Sequence, residues 1–171
     1  LEFTKYHFDT GSAIFIDARD SEEYEAGHIQ NAINIPYDYY EDYEDVIDGL
    51  DCLRKTGLIV AVISNMNLGS QKLCDDMGLT GHVDFAVTSG ETGYEKPDVR
   101  IFESALSRAS VSADESVLIG DQLESDIFGA QNAGMRPVLI DRYDGHVGYT
   151  KHPRATDMES VITLISEMMS E

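Results

Sequence analysis

The 171-residue chain has no tryptophan, only two cysteines, four prolines and twelve lysines and arginines against thirty-two aspartates and glutamates. Each scarcity excludes something. Cys52 and Cys74 form no CxxC pair and no dense spacing, which argues against a disulfide framework. The formal charge of −20 leaves too few cations to neutralise a nucleic-acid backbone or to hold an anionic membrane surface. No apolar run approaches the length of a membrane span, and no basic segment leads into an apolar one, so a cytoplasmic protein is expected. His28, His82, His146 and His152 lack metal-ligand spacing. Nothing in the chain fixes an oligomeric state.

What is present is an alternation of short apolar runs with amphipathic stretches. It predicts one α/β domain, a three-layer α/β/α sandwich around a mostly parallel, Rossmann-like sheet. Strands are expected at Ala13 to Asp17, Ala32 to Ile35, Leu58 to Ile63, Phe85 to Thr88, Val117 to Ile119 and Pro137 to Ile140. They are apolar throughout, as strands covered by helices on both faces are. Helices are expected at Ser21 to Tyr24, Tyr43 to Lys55, Ser70 to Met77, Val99 to Ser107, Glu124 to Ala133 and Asp157 to Met169. Gly78 and Gly134 are the stop signals of two of them.

Ligands of such sheets sit beyond the carboxyl ends of the strands. In "VLIGDQLESD" the strand ends at Asp121 and the next helix carries Asp126, and two carboxylates there suit Mg²⁺. The same pair can equally cap the helix and complement its dipole. "VAVISN" ends a strand in Ser64 and Asn65, whose hydroxyl and backbone N–H groups suit phosphate oxygens. "GYEKPD" sets Lys96 before a helix start, where an ammonium can neutralise a phosphoryl group. In the order hydroxyl, lysine, acid pair, these residues suit phosphoryl transfer on a small phosphorylated molecule.

Residues from about 53 to 145, with "VAVISN", "GYEKPD" and "VLIGDQLESD" in order, resemble the haloacid dehalogenase-like hydrolase superfamily. The resemblance implies that Ser64 binds phosphate, that Lys96 steadies nucleophile and phosphate, and that Asp121 holds Mg²⁺ with Asp126 in support. That family opens on a strand ending in D-x-D-x-[TV], whose first Asp attacks phosphorus and whose second is general acid and base. Here "IFIDARD" offers Asp17 as nucleophile and metal ligand, but Arg19 stands at the second acid's position and Asp20 is out of register. The stretch between Asp17 and Ser64 is too short for the usual cap domain.

Residues 13 to 36, "AIFIDARDSEEYEAGHIQNAINIP", resemble instead the amino-terminal half of a rhodanese domain, with Asp17, Glu23, Gly27, His28, Ala32 and Pro36 at framework positions. A rhodanese carries its catalytic cysteine where this chain has Ser64, and a hydroxyl cannot carry a persulfide. The sequence therefore reads as a hybrid, rhodanese-like over 1–40 and hydrolase-like over 53–171. Its expected function is a Mg²⁺-dependent phosphohydrolase of low activity, or else a hybrid scaffold without turnover.

Overall fold

The computed structural model of the chain describes residues 13–16 and 44–168. The helix expected at 21–24, the strand at 32–35, the missing cap, and Asp17, Arg19 and His28 lie outside the described residues. Those described form a six-stranded, all-parallel sheet. Its strands are β1 (Ala13–Ile16), β2 (Ile59–Ser64), β3 (Phe85–Thr88), β4 (Ser116–Gly120), β5 (Arg136–Ile140) and β6 (Arg154–Ala155). The helices are α1 (Glu44–Lys55), α2 (Ser70–Asp76), α3 (Ser89–Thr92), α4 (Val99–Ala109), α5 (Gly129–Asn132) and α6 (Met158–Met168).

The strand order β3-β2-β1-β4-β5-β6 steps outward from β1, then returns to β1's other side. The direction of progress reverses between β1 and β4, the place where such sheets open a crevice at their carboxyl edge. Alternate residues of each strand feed opposite faces of the sheet. Val60, Val62, Val117, Ile119 and Val138 join Leu50 and Leu53 of α1, Leu73 of α2, and Val161, Ile162 and Ile165 of α6 in one core. Ala61, Ile63, Val87 and Leu118 join Ile101, Phe102 and Ala105 of α4 and Ala130 of α5 in the other. Two cores around one sheet make the expected three-layer sandwich. Among the described residues no helix is long and apolar enough to cross a membrane.

Three local features differ from expectation. The helix expected at Glu124 to Ala133 opens as a π-helical turn, Leu123–Phe128, before α5. Its cause is a doubled acceptor, because the amides of Asp126 and Ile127 both donate to the Gln122 carbonyl, at 3.0 and 3.1 Å. The four-residue α3 is too short to leave a periodic pattern, and the two-residue β6 too short to leave an apolar run.

The loop leaving β5 is tied by Asp141, which is 3% exposed. Its carboxylate accepts from Arg154 Nε (2.7 Å) and from the amides of Gly145 and His146 (2.8 Å each), joining β5, the loop and β6. Burial alone would push this carboxyl up, but Arg154 and the two amides outweigh it and hold it below its ordinary 3.8. A depressed carboxyl contributes stability that is complete above its unfolded value and is lost as pH falls through the folded one. Urea unfolding of the wild type and Asp141→Asn should therefore show a stability gap at neutral pH that closes as pH falls below 3.8. A gap that persists unchanged in acid would refute the assignment.

Candidate active site

Ile16, the last residue of β1, pairs with Val62 on one side and Ile119 on the other. Ser64, the last residue of β2, and Asp121, the first residue after β4, each lie two residues beyond those partners, so they stand on either side of β1 at the carboxyl edge, where such sheets open a crevice. Ser64 is fully buried and sits beside Thr88 of β3. Asp121 is half-buried, at the point where β4 gives way to the π-helical turn.

Lys96 comes from the segment between α3 and α4, whose first turn is capped by Asp98 accepting from the Arg100 amide at 3.0 Å. The side chain of Lys96 has no exposed surface. Its ammonium donates to the Ile63 carbonyl at 2.9 Å and pairs with Asp126 Oδ1 at 3.1 Å, itself at 0% exposure. The other oxygen of Asp126 accepts from the Gln122 amide at 3.0 Å. Ser125 Oγ donates to Gln122 Oε1 at 2.8 Å and reaches Asp126 Oδ1 at 3.4 Å. Asp126 packs so closely on the strand end that a Cβ on Gly120 would stand 2.4 Å from its own Cβ, so only glycine fits there.

Asn65 follows Ser64, and its side chain faces Lys96. Asn65 Oδ1 accepts from the Lys96 amide at 2.7 Å, and Asn65 Nδ2 donates to the Lys96 carbonyl at 3.0 Å. The loop beyond is pinned by α3. Thr88 Oγ1 donates to the Leu68 carbonyl (2.6 Å), the Gly90 amide to the Met66 carbonyl (3.1 Å), and Glu91 Oε1 accepts from Ser70 N (2.8 Å) and Ser70 Oγ (3.0 Å).

Of the residues singled out in the sequence, Ser64, Asn65, Lys96, Asp121 and Asp126 converge on this edge, and Asp17 lies outside the described residues. Of the two readings for the acids, Asp126 shows part of each, since one oxygen pairs with Lys96 and the other accepts from the backbone N–H of Gln122 at the start of the helical segment. The residue at the capping position is Gln122, and its side chain makes no cap bond. Ser125, Gln122 and Glu91 escaped the sequence reading, since nothing in their spacing marks a hydroxyl or amide that serves a neighbour. No group of three or more His, Cys, Asp or Glu able to hold a metal occurs among the described residues. Cys52 lies half-buried in α1 and Cys74 buried in α2, and burial pushes both thiols up, opposite to what a reactive thiolate needs.

The haloacid dehalogenase-like hydrolase family matches this chain over residues 7–140. The chain belongs to that family. The match runs through residues 13–36, so the rhodanese-like half and the hybrid origin expected from the sequence find no support in it. The family member described here is 34% identical over 109 residues to the glyceraldehyde 3-phosphate phosphatase of Methanothermobacter thermautotrophicus, covering 63% of this chain and 48% of that protein. It is 40% identical over 99 residues to the ribulose-1,5-bisphosphate 5-phosphatase of Halopiger xanaduensis, covering 57% of this chain and 41% of that protein. The crystal structure of the 2-haloacid dehalogenase of Pseudomonas syringae pv. tomato aligns with a TM-score of 0.65 and 29% identity, over 73% of this chain and 53% of that one. The chain thus spans about half the length of the curated relatives it matches.

A fully buried ion pair is held by its geometry rather than by net attraction, and losing one partner strands the other's charge. Lys96→Met and Asp126→Leu should each lower the free energy of unfolding by about 3–5 kcal/mol in urea titrations. The double variant, which leaves no stranded charge, should be more stable than either single one. A double variant that loses the sum of the two would contradict the pairing.

Proposed function

We propose that this crevice is a Mg²⁺-dependent phosphohydrolase site that acts slowly on small phosphate monoesters. The observation that carries the reading is the fully buried Lys96 ammonium, held by the Ile63 carbonyl and Asp126 at the carboxyl edge of β2, the strand that Ser64 ends. A cation and a hydroxyl so placed suit phosphoryl oxygens, which spread negative charge over three equatorial atoms during transfer. The names of the relatives, both phosphatases of small phosphorylated molecules, support the same chemistry.

Magnesium suits the donors. It takes carboxylate oxygens, keeps several waters and needs only one or two protein acids. We assign it to Asp121 and Asp17. Asp126, expected as a further ligand, already has one oxygen on Lys96 and the other on the Gln122 amide, and we assign it to holding Lys96. When bound, such a cation supplies neutralisation of phosphoryl charge.

The chain's own residues then divide the work. Ser64 Oγ, the Asn65 backbone N–H and the Lys96 ammonium hold the phosphoryl oxygens. A carboxylate oxygen of Asp17 attacks phosphorus, and the bond from phosphorus to the alcohol oxygen breaks. Water later cleaves the aspartyl phosphate, returning the carboxylate and releasing phosphate. The departing alkoxide needs a proton, and Arg19 at the position of the family's second acid cannot provide one, because guanidinium does not deprotonate.

Turnover should therefore depend steeply on the leaving group. An aryl phosphate such as p-nitrophenyl phosphate leaves without help and should be hydrolysed, while alkyl phosphates should lag by about 10²- to 10⁴-fold, the usual worth of general acid catalysis. Lys96→Met and Asp121→Asn should abolish the aryl activity. Aryl phosphate turnover that survives Asp17→Asn would remove the nucleophile assignment. No turnover of either ester class would leave the non-catalytic scaffold.

A further inference from the structure

We infer that Asn65 is a positioning residue for Lys96, its side-chain amide setting where the Lys96 backbone stands and so where the ammonium reaches. The amide meets both peptide groups of Lys96, accepting from its N–H at 2.7 Å and donating to its carbonyl at 3.0 Å. This reproduces with one side chain the two-bond pairing that neighbouring strands use. It joins two segments that share no strand pairing, the end of β2 and the turn before α4. The assignment of oxygen and nitrogen is unambiguous here, since a backbone N–H must meet the oxygen and a backbone carbonyl the nitrogen.

Lysine is long and has many rotamers, so its charge is located only if the chain is held at both ends. The far end is held by the Ile63 carbonyl and Asp126. The near end is held by Asn65. Because Ile63 and Asn65 are two residues apart, the end of β2 and the residue after it grip Lys96 at both ends. Few side chains can replace Asn65 in this. Aspartate keeps an acceptor for the amide but sets a carboxylate against the carbonyl, leucine offers neither, and glutamine is one methylene too long. The side chain of Asn65 is thus committed to Lys96. The consequence for catalysis rests on the phosphohydrolase reading above, whereas the positioning does not.

The test is the rate at which acetic anhydride labels Lys96 Nζ in the folded protein, read by peptide mass spectrometry in the wild type, Asn65→Asp and Asn65→Leu. Exposed Lys55, Lys72 and Lys151 serve as internal controls. Lys96 should label slowly in the wild type, faster in Asn65→Asp and about tenfold faster in Asn65→Leu, with the controls unchanged, as a local opening predicts. Amide deuterium exchange in β4 and β5 separates this from general loosening and should stay at wild-type rates. Lys96 labelling at the wild-type rate in either folded variant overturns the inference, as does a rise matched by faster exchange throughout the sheet.

A second arm uses inorganic phosphate binding by calorimetry. If Asn65 acts through Lys96, Asn65→Leu/Lys96→Met binds phosphate no more weakly than Lys96→Met alone, and additive losses overturn the inference. Labelling that behaves as expected in a wild-type protein that neither binds phosphate nor hydrolyses its esters sustains the positioning and removes the phosphohydrolase reading.

Discussion

The ammonium of Lys96 has no exposed surface, and the carboxylate it meets has none either. Taking two charges out of water is costly, and their attraction repays it only when the remaining donors and acceptors are also satisfied. Here they are, by the Ile63 carbonyl on one side and the Gln122 amide on the other. The requirement propagates. Asp126 must press against the end of β4, which demands glycine at 120, and it must face inward from a helical segment, which the π-helical turn provides. The segment carrying Lys96 must be fixed against β2, which Asn65 does. One buried ion pair thus binds together three stretches that are far apart in sequence, at the crevice the strand order creates.

Much of this was legible beforehand because it is local. Apolar runs without alternation announced strands covered on both faces, and two helices end where Gly78 and Gly134 take positive φ. A strand running into Gly120-Asp121, a strand ending in Ser64-Asn65, and a lysine before a helix start pointed to the carboxyl edge of the sheet, where these candidate residues lie. What could not be read was long-range. Asp121 and Asp126 look alike as two acids near a helix start, and only the approach of Lys96 from a different segment separates them. The π-helical turn depends on two amides sharing one carbonyl, a contact no periodicity reveals. Asn65 was singled out for its backbone, and the work of its side chain is visible only once Lys96 stands opposite.

The amino-terminal stretch teaches a different lesson. Residues 13–36 resemble a rhodanese framework, yet the family match to the haloacid dehalogenase-like hydrolases begins at residue 7 and passes through them. Parallel α/β sheets of unrelated families share short patterns such as an apolar strand ending in an acid, because the same packing problem selects them. β1 shows what matters physically, since its four residues pair with β2 and β4 and occupy the centre of the sheet. The departure with chemical consequence is Arg19, which leaves the site as proposed with a nucleophile, an anion cradle and a cation site but no proton donor for the leaving group.

As proposed, the carboxyl edge around Lys96 and Asp121 holds phosphate together with Mg²⁺. Calorimetric titration of Mg²⁺ into the wild-type protein and into Asp121→Asn, each with orthophosphate present, tests it directly. Saturable binding in the wild type that disappears in Asp121→Asn is the result predicted. Absence of binding in both proteins, or equal binding in both, would contradict it.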